Sequence, residues 1–137
     1  MAKKSFFVAM LGMALALLIT ACDGFTTDGM SDLRGTWERT EAAWWYTPES
    51  GYQSLKGKLV ITYNSVTITG PVAHLQGFTQ DIALEARAED GLLYIKDTGE
   101  WKTPIPYRRW QSAGYADTLI TLTGGSIADE TLKQIGN

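Results

Sequence analysis

Lys58-Leu59-Val60-Ile61-Thr62-Tyr63-Asn64-Ser65-Val66-Thr67-Ile68-Thr69 is the stretch that decides the fold. Leu59, Ile61 and Tyr63 alternate with Lys58, Val60 and Thr62, the period of two that sends successive side chains to opposite faces of a strand. Val66 and Ile68 then alternate with Thr67 and Thr69. Taking Asn64-Ser65 as a two-residue loop predicts Tyr63 opposite Val66 and Ile61 opposite Ile68, with every apolar side chain on one face. A second pair lies downstream. Ile82, Leu84 and Ala86 alternate with Ala83, Glu85 and Arg87, and Glu89-Asp90-Gly91 is a strong turn signal. Centring that loop on Asp90-Gly91 predicts Ala86 opposite Ile95 and Ala88 opposite Leu93.

Working outward, residues 36–40 open the domain as a strand, and Asp97-Thr98-Gly99 turns the chain into residues 101–110. Pro104 and Pro106 make that segment an edge or bulged strand, because proline cannot donate to a ladder. Residues 117–123 form another Thr- and Leu-rich strand, which brings the number to seven. Residues 130–135 read as an eighth strand or as a short terminal helix. Helical periodicity over ten residues is missing after position 22. The chain is therefore all-β, with about seven or eight antiparallel strands and short turns. An up-and-down β-barrel is expected, with a β-sandwich as the alternative. The barrel is preferred because closure removes exposed strand edges.

The amino terminus has a different character. Lys3 and Lys4 precede an uninterrupted apolar run over residues 6–19, which ends in Leu18-Ile19-Thr20-Ala21-Cys22. Fourteen apolar residues fall short of the roughly 20 that a spanning helix needs. The pattern resembles the signal and lipobox of secreted bacterial lipoproteins. That resemblance implies cleavage of residues 1–21, diacylglyceryl and acyl lipid on Cys22, and an extracytoplasmic place in the cell envelope. The alternatives are an ordinary secretory signal with an incidental cysteine, or an uncleaved anchor. Cys22 is the only cysteine, so a lipidated chain has no disulfide. Residues 22–32 then read as a lipidated cysteine with a flexible polar tether, and residues 33–137 as a single domain.

After position 21 the chain carries 15 acidic against 10 basic residues, a formal charge of −5. That balance argues against nucleic acid, which requires a basic footprint, and against electrostatic attraction to an anionic membrane. Membrane attachment would fall to the lipid alone. The partner would be a small ligand, or an envelope or host protein.

Chemistry-bearing constellations are sparse. His74 is the only histidine and reads as a solvated loop residue, so Ser65, His74 and Asp81 form a triad only on paper. One histidine and one acylated cysteine argue against a zinc site, and Asp28 and Asp32 lack EF-hand spacing. Glu38 and Glu100 are a carboxylate pair only if the fold unites them. No cofactor beyond the lipid, no metal and no catalytic residue is expected. The aromatic run Trp44-Trp45-Tyr46 stands out, with Pro48, Gly51 and Tyr52 close behind it. Three consecutive rings cannot all enter one core from a strand, so Trp44, Trp45 and Tyr46 are the candidate ligand contacts. Alternatively, this loop folds over and caps the barrel. Tyr107 and Trp110, flanking Arg108-Arg109, are a second candidate patch with cation–π character.

Leu33-Arg34-Gly35-Thr36-Trp37 places a Gly-x-Trp at the first strand. It resembles the opening signature of lipocalin and calycin barrels, in which the tryptophan plugs the closed end. Further matching segments are Gly57-Lys58-Leu59-Val60-Ile61, Val66-Thr67-Ile68-Thr69-Gly70, Gly99-Glu100-Trp101, Ile105-Pro106-Tyr107 and the tail from Gly124-Gly125 to Leu132. Over residues 33–135 the chain is similar to small bacterial lipoproteins, frequent in spirochaetes, that carry lipocalin-like β domains without an assigned activity. The resemblance implies a structural role for Trp37, with Arg108 or Arg109 stacked on it, and a ligand cavity by analogy alone. The implied function is a non-catalytic binding or interaction module for a small apolar or sugar ligand. The alternative is a structural or adhesive surface lipoprotein that binds macromolecules through its outer face.

Overall fold

Ala86 pairs with Ile95 and Ala88 with Leu93 in the computed structural model, which describes residues 29–137. The turn between them has Asp90 at φ 53° and Gly91 at φ 76°, the double left-handed geometry that matches the twist of a tight hairpin. The strands it joins are one pair in a closed barrel. In chain order the elements are a helical turn α1 (Met30–Leu33), β1 (Gly35–Arg39), β2 (Ala43–Thr47), β3 (Gly51–Leu55), β4 (Lys58–Ile61), β5 (Ser65–Thr69), β6 (Ala83–Glu89), β7 (Leu92–Asp97), β8 (Glu100–Trp101), β9 (Ile105–Gln111), β10 (Thr118–Leu122) and β11 (Glu130–Gly136). Eight of these close an antiparallel ring in the order β1-β4-β5-β6-β7-β9-β10-β11 and back to β1. The architecture is the all-β up-and-down barrel, and the sandwich alternative is excluded. Residues 130–136 are the eighth strand, and their pairing with β1 closes the ring.

The opening hairpin differs from expectation in register. Ile61 faces Val66 and Leu59 faces Ile68, because the two-residue loop is Tyr63-Asn64 and Thr62 faces Ser65. Hydroxyls fix that loop: Thr62 Oγ1 lies 2.7 Å from Ser65 Oγ, and the Asn64 N–H donates to Thr62 Oγ1 at 3.3 Å. Moving the loop by one position shifts the register by two. The facing of each strand is therefore unchanged, and Tyr63 is left exposed beyond the strand end.

Alternation fills the interior. Leu59, Ile61, Val66, Ile68, Leu84, Ala86, Ala88, Leu93, Ile95, Ile105, Ile120, Leu122 and Leu132 form one buried cluster with Trp37. The end where β1 begins, here the base, is closed by α1, whose Met30 and Leu33 are buried. Trp37 Nε1 donates to the Leu33 carbonyl at 2.7 Å. Residues 29–32, expected in the tether, are thus part of the folded domain, with Met30 in its core. Cys22 and residues 23–28 lie outside the described residues, as does the expected signal over residues 1–21.

At the opposite end, the mouth, the 70–82 segment enters the ring as a plug with Val72 and Leu75 buried. Two inward-facing carboxylates hold it. Asp97, at the upper end of β7, accepts from the Thr79 N–H at 2.8 Å and from its hydroxyl at 2.9 Å. Glu130, at the upper end of β11, holds the other side. Gly57 lies under the plug so closely that a Cβ there would strike the Pro71 carbonyl. The barrel interior is thus filled by the clustered side chains, and the plug occupies its mouth.

Candidate functional site

The aromatic run forms the first strand of a hairpin, β2–β3, which pairs with itself as a separate two-stranded sheet at the mouth. Thr47-Pro48-Glu49-Ser50-Gly51 makes its turn. The Ser50 N–H bonds to Thr47 Oγ1 at 3.2 Å, and Gly51 takes φ 69°, which costs glycine nothing. Alternation then separates the three predicted contacts. Trp44 and Tyr46 project from one face and are exposed by 74% and 57%; Trp45 occupies the other face, half-buried and opposite Gln53. Tyr52, which faces Tyr46 across the hairpin, completes the outer face at 75% exposure. The Tyr46 and Tyr52 rings lie 5.0 Å apart, tilted at 52°. Trp44, Tyr46 and Tyr52 thus make an uncharged, ring-bearing surface with Ser54 opposite Trp44. The segment expected as a loop is a hairpin whose other face, with Ala43, Trp45, Gln53 and Leu55, is half-buried, while the 70–82 plug fills the mouth.

His74 is the largest departure from the sequence reading. Its side chain is 3% exposed, and its Nδ1 lies 2.7 Å from Glu130 Oε1. The same carboxylate accepts from the Ala73 N–H at 3.0 Å, the His74 N–H at 2.6 Å and Arg39 Nε at 3.1 Å. Arg39 also reaches the Pro71 carbonyl. Glu130 is thus the acceptor for the first turn of the plug, and Arg39 balances its charge. His74 Nε2 is buried without a partner. Ser65 and Asp81 are elsewhere: Ser65 serves the β4–β5 turn, and Asp81 accepts from Thr69 Oγ1 at 2.9 Å. The triad does not assemble.

The paired carboxylates also stay apart. Glu38 on β1 pairs with Lys58 at 3.6 Å, while Glu100 on β8 pairs with Lys102 at 3.5 Å. Among the described residues, no group of three or more His, Cys, Asp or Glu side chains is placed to hold a metal ion. Neither Arg108 nor Arg109 stacks on Trp37; the Arg108 guanidinium lies 5.6 Å from the Trp110 ring centroid. Trp110 Nε1 in turn donates to Thr121 Oγ1 at 2.8 Å, so this strand's ring covers the outside of β10. A further cation–π arrangement has Arg87 between Tyr94 and Trp101, at 5.0 and 5.3 Å.

Beside the plug, a crevice of about 620 Å³ opens between residues 74–78, 102–106 and 123–127. Its wall includes Phe78, Pro104, Pro106 and Ile127, with Lys102 at its edge. This site is formed by three loops distant in sequence, and the sequence pattern carries no signal for it. The hairpin was expected as a loop; the Pro-x-x-Gly turn between two five-residue runs is the signal that would have marked it. No protein-family model, curated protein or solved structure matches the chain.

Proposed function

We propose that this chain is a lipid-anchored, non-catalytic binding module of the bacterial envelope, held through Cys22 and contacting its partner with the outer face of β2–β3. The observation that carries the reading is the exposure of Trp44, Tyr46 and Tyr52 on one face of a hairpin that stands apart from the ring. Large rings left in water are uncommon unless something covers them, and flat aromatic faces suit stacking on sugar rings or apolar side chains. The packed interior favours outer-face contact over a ligand held inside the barrel. The lipobox-like segment ending at Cys22, together with the net negative charge of the chain beyond it, supports lipid attachment.

The experiment is retention of the full chain on isolated envelope material, comparing wild type with a Trp44→Ala, Tyr52→Ala double variant. The rings are exposed, so the melting temperature should move by no more than about 4 °C, while retention falls by at least about tenfold, the worth of two buried aromatic contacts. Equal retention would overturn the assignment, and so would a large stability loss that makes both rings structural. Cys22→Ser should leave the membrane fraction while keeping ring-dependent binding; unchanged membrane association would refute the anchor.

A further inference from the structure

The crevice beside the plug has the composition of a ligand site. A volume of about 620 Å³ falls within the range of small-molecule pockets, which are mostly apolar with a few placed polar groups. Phe78 packs partly against the core from the plug side, while Pro104 and Pro106 form the facing wall. Ile127 is 45% exposed at the rim, an apolar side chain held open to solvent where an occupant would cover it. Buried in the wall is the His74 ring, whose Nε2 has no partner.

Charge then selects among apolar occupants. Lys102 is the one formally charged side chain among the lining residues, in a chain that carries −5 after position 21. Its one ion pair among the described residues is loose, with Glu100 Oε2 3.5 Å away on a side chain that is 77% exposed, and beyond that pair the ammonium is attracted only through space by Asp97, whose carboxylate is held by Thr79. A ligand carboxylate entering the crevice would replace that contact with a less solvated one. The geometry points to the crevice as a binding site for a small apolar carboxylate, with the body against Phe78, Pro104, Pro106 and Ile127 and the head group at Lys102. The site is separate from the aromatic hairpin, and either assignment stands without the other.

Photo-crosslinking tests this on the full chain in lipid nanodiscs, using para-benzoylbenzoate as the anionic probe and benzophenone as its uncharged counterpart. Peptide mapping should place the carboxylate label in residues 73–78, 102–106 and 123–127. Lys102→Met should lower labelling by para-benzoylbenzoate roughly fivefold, the size of one partly exposed ion pair, and leave benzophenone labelling within about twofold. Glu100→Gln should act in the opposite direction, raising carboxylate labelling by releasing Lys102; a variant that merely loosened the fold would not change sign this way. Label confined to the hairpin or spread over the surface would overturn the site. Equal response of both probes to Lys102→Met would overturn its specificity for an anion.

Discussion

Glu130→Ala is the most severe test of how the mouth is held shut. Four donors converge on this carboxylate: the N–H groups of Ala73 and His74, the His74 ring at Nδ1, and Arg39 Nε. Each buried donor left without an acceptor costs about 1–3 kcal/mol, and removing one member of a buried ion pair about 3–5 kcal/mol. These losses overlap, because a released plug lets water reach all four groups at once. The expected net loss is about 3–5 kcal/mol, out of a total of about 5–15 kcal/mol for such a domain. Converted at several degrees per kcal/mol, this lowers the melting temperature by about 15–25 °C. Glu130→Gln keeps one acceptor oxygen and should lose about half as much. Urea unfolding of the full chain, tracked by tryptophan emission, measures both as midpoint shifts at unchanged slope. Amide exchange at Leu75 and Phe78, whose N–H groups bond to the Val72 and Leu75 carbonyls, should accelerate most. A loss under about 1 kcal/mol, or equal losses for the two variants, would refute the convergence of donors as the plug's fastening.

The other predictions concern the same plug. Gly57→Ala puts a methyl group against the Pro71 backbone and Val72 and should cost about 1–3 kcal/mol; Gly77→Ala, which meets nothing, should be neutral or slightly stabilising, and urea midpoints compare them. The Thr79 N–H is the main influence holding the Asp97 carboxyl below its usual range, against an opposing push from burial; the Thr79 hydroxyl, the Thr98 backbone and the Lys102 charge add to the lowering. A carboxyl depressed in the folded state stabilises fully above its unfolded value of about 3.9, and that contribution disappears as the pH falls through the lower folded value. Asp97→Asn should therefore flatten the acid limb of the stability–pH curve below about pH 4; an unchanged limb would refute it.

Where local chemistry decided structure, the sequence could be read. Asp90-Gly91 specified both the turn geometry and the register of β6–β7, because only residues tolerant of positive φ close so tight a loop. In β4–β5, periodicity gave the buried face correctly. The loop position was settled by the Thr62 and Ser65 hydroxyls, which a search for Asn-containing loops does not detect. Alternation also explains why Trp44, Trp45 and Tyr46 do not share one face. His74 was illegible for a different reason. Its partner Glu130 is 56 positions away, and Arg39, which shares that carboxylate, is 35; no local pattern distinguishes a histidine beside a distant buried carboxylate from one in water. The crevice was beyond reach for the same cause, since its walls meet only when the barrel closes.

The pairing of the first ring strand with the last has a directional consequence. Thr36 lies opposite Gly136, and Gly29 bonds to Ala88 near the lower end of β6, so the first and last described residues both lie at the heel of the molecule. The hairpin rings and the crevice sit at the other pole, a strand's length of about 20 Å away. An attachment made ahead of Gly29 would therefore reach the molecule at its heel, and the surfaces proposed to meet a partner would be presented at the opposite pole.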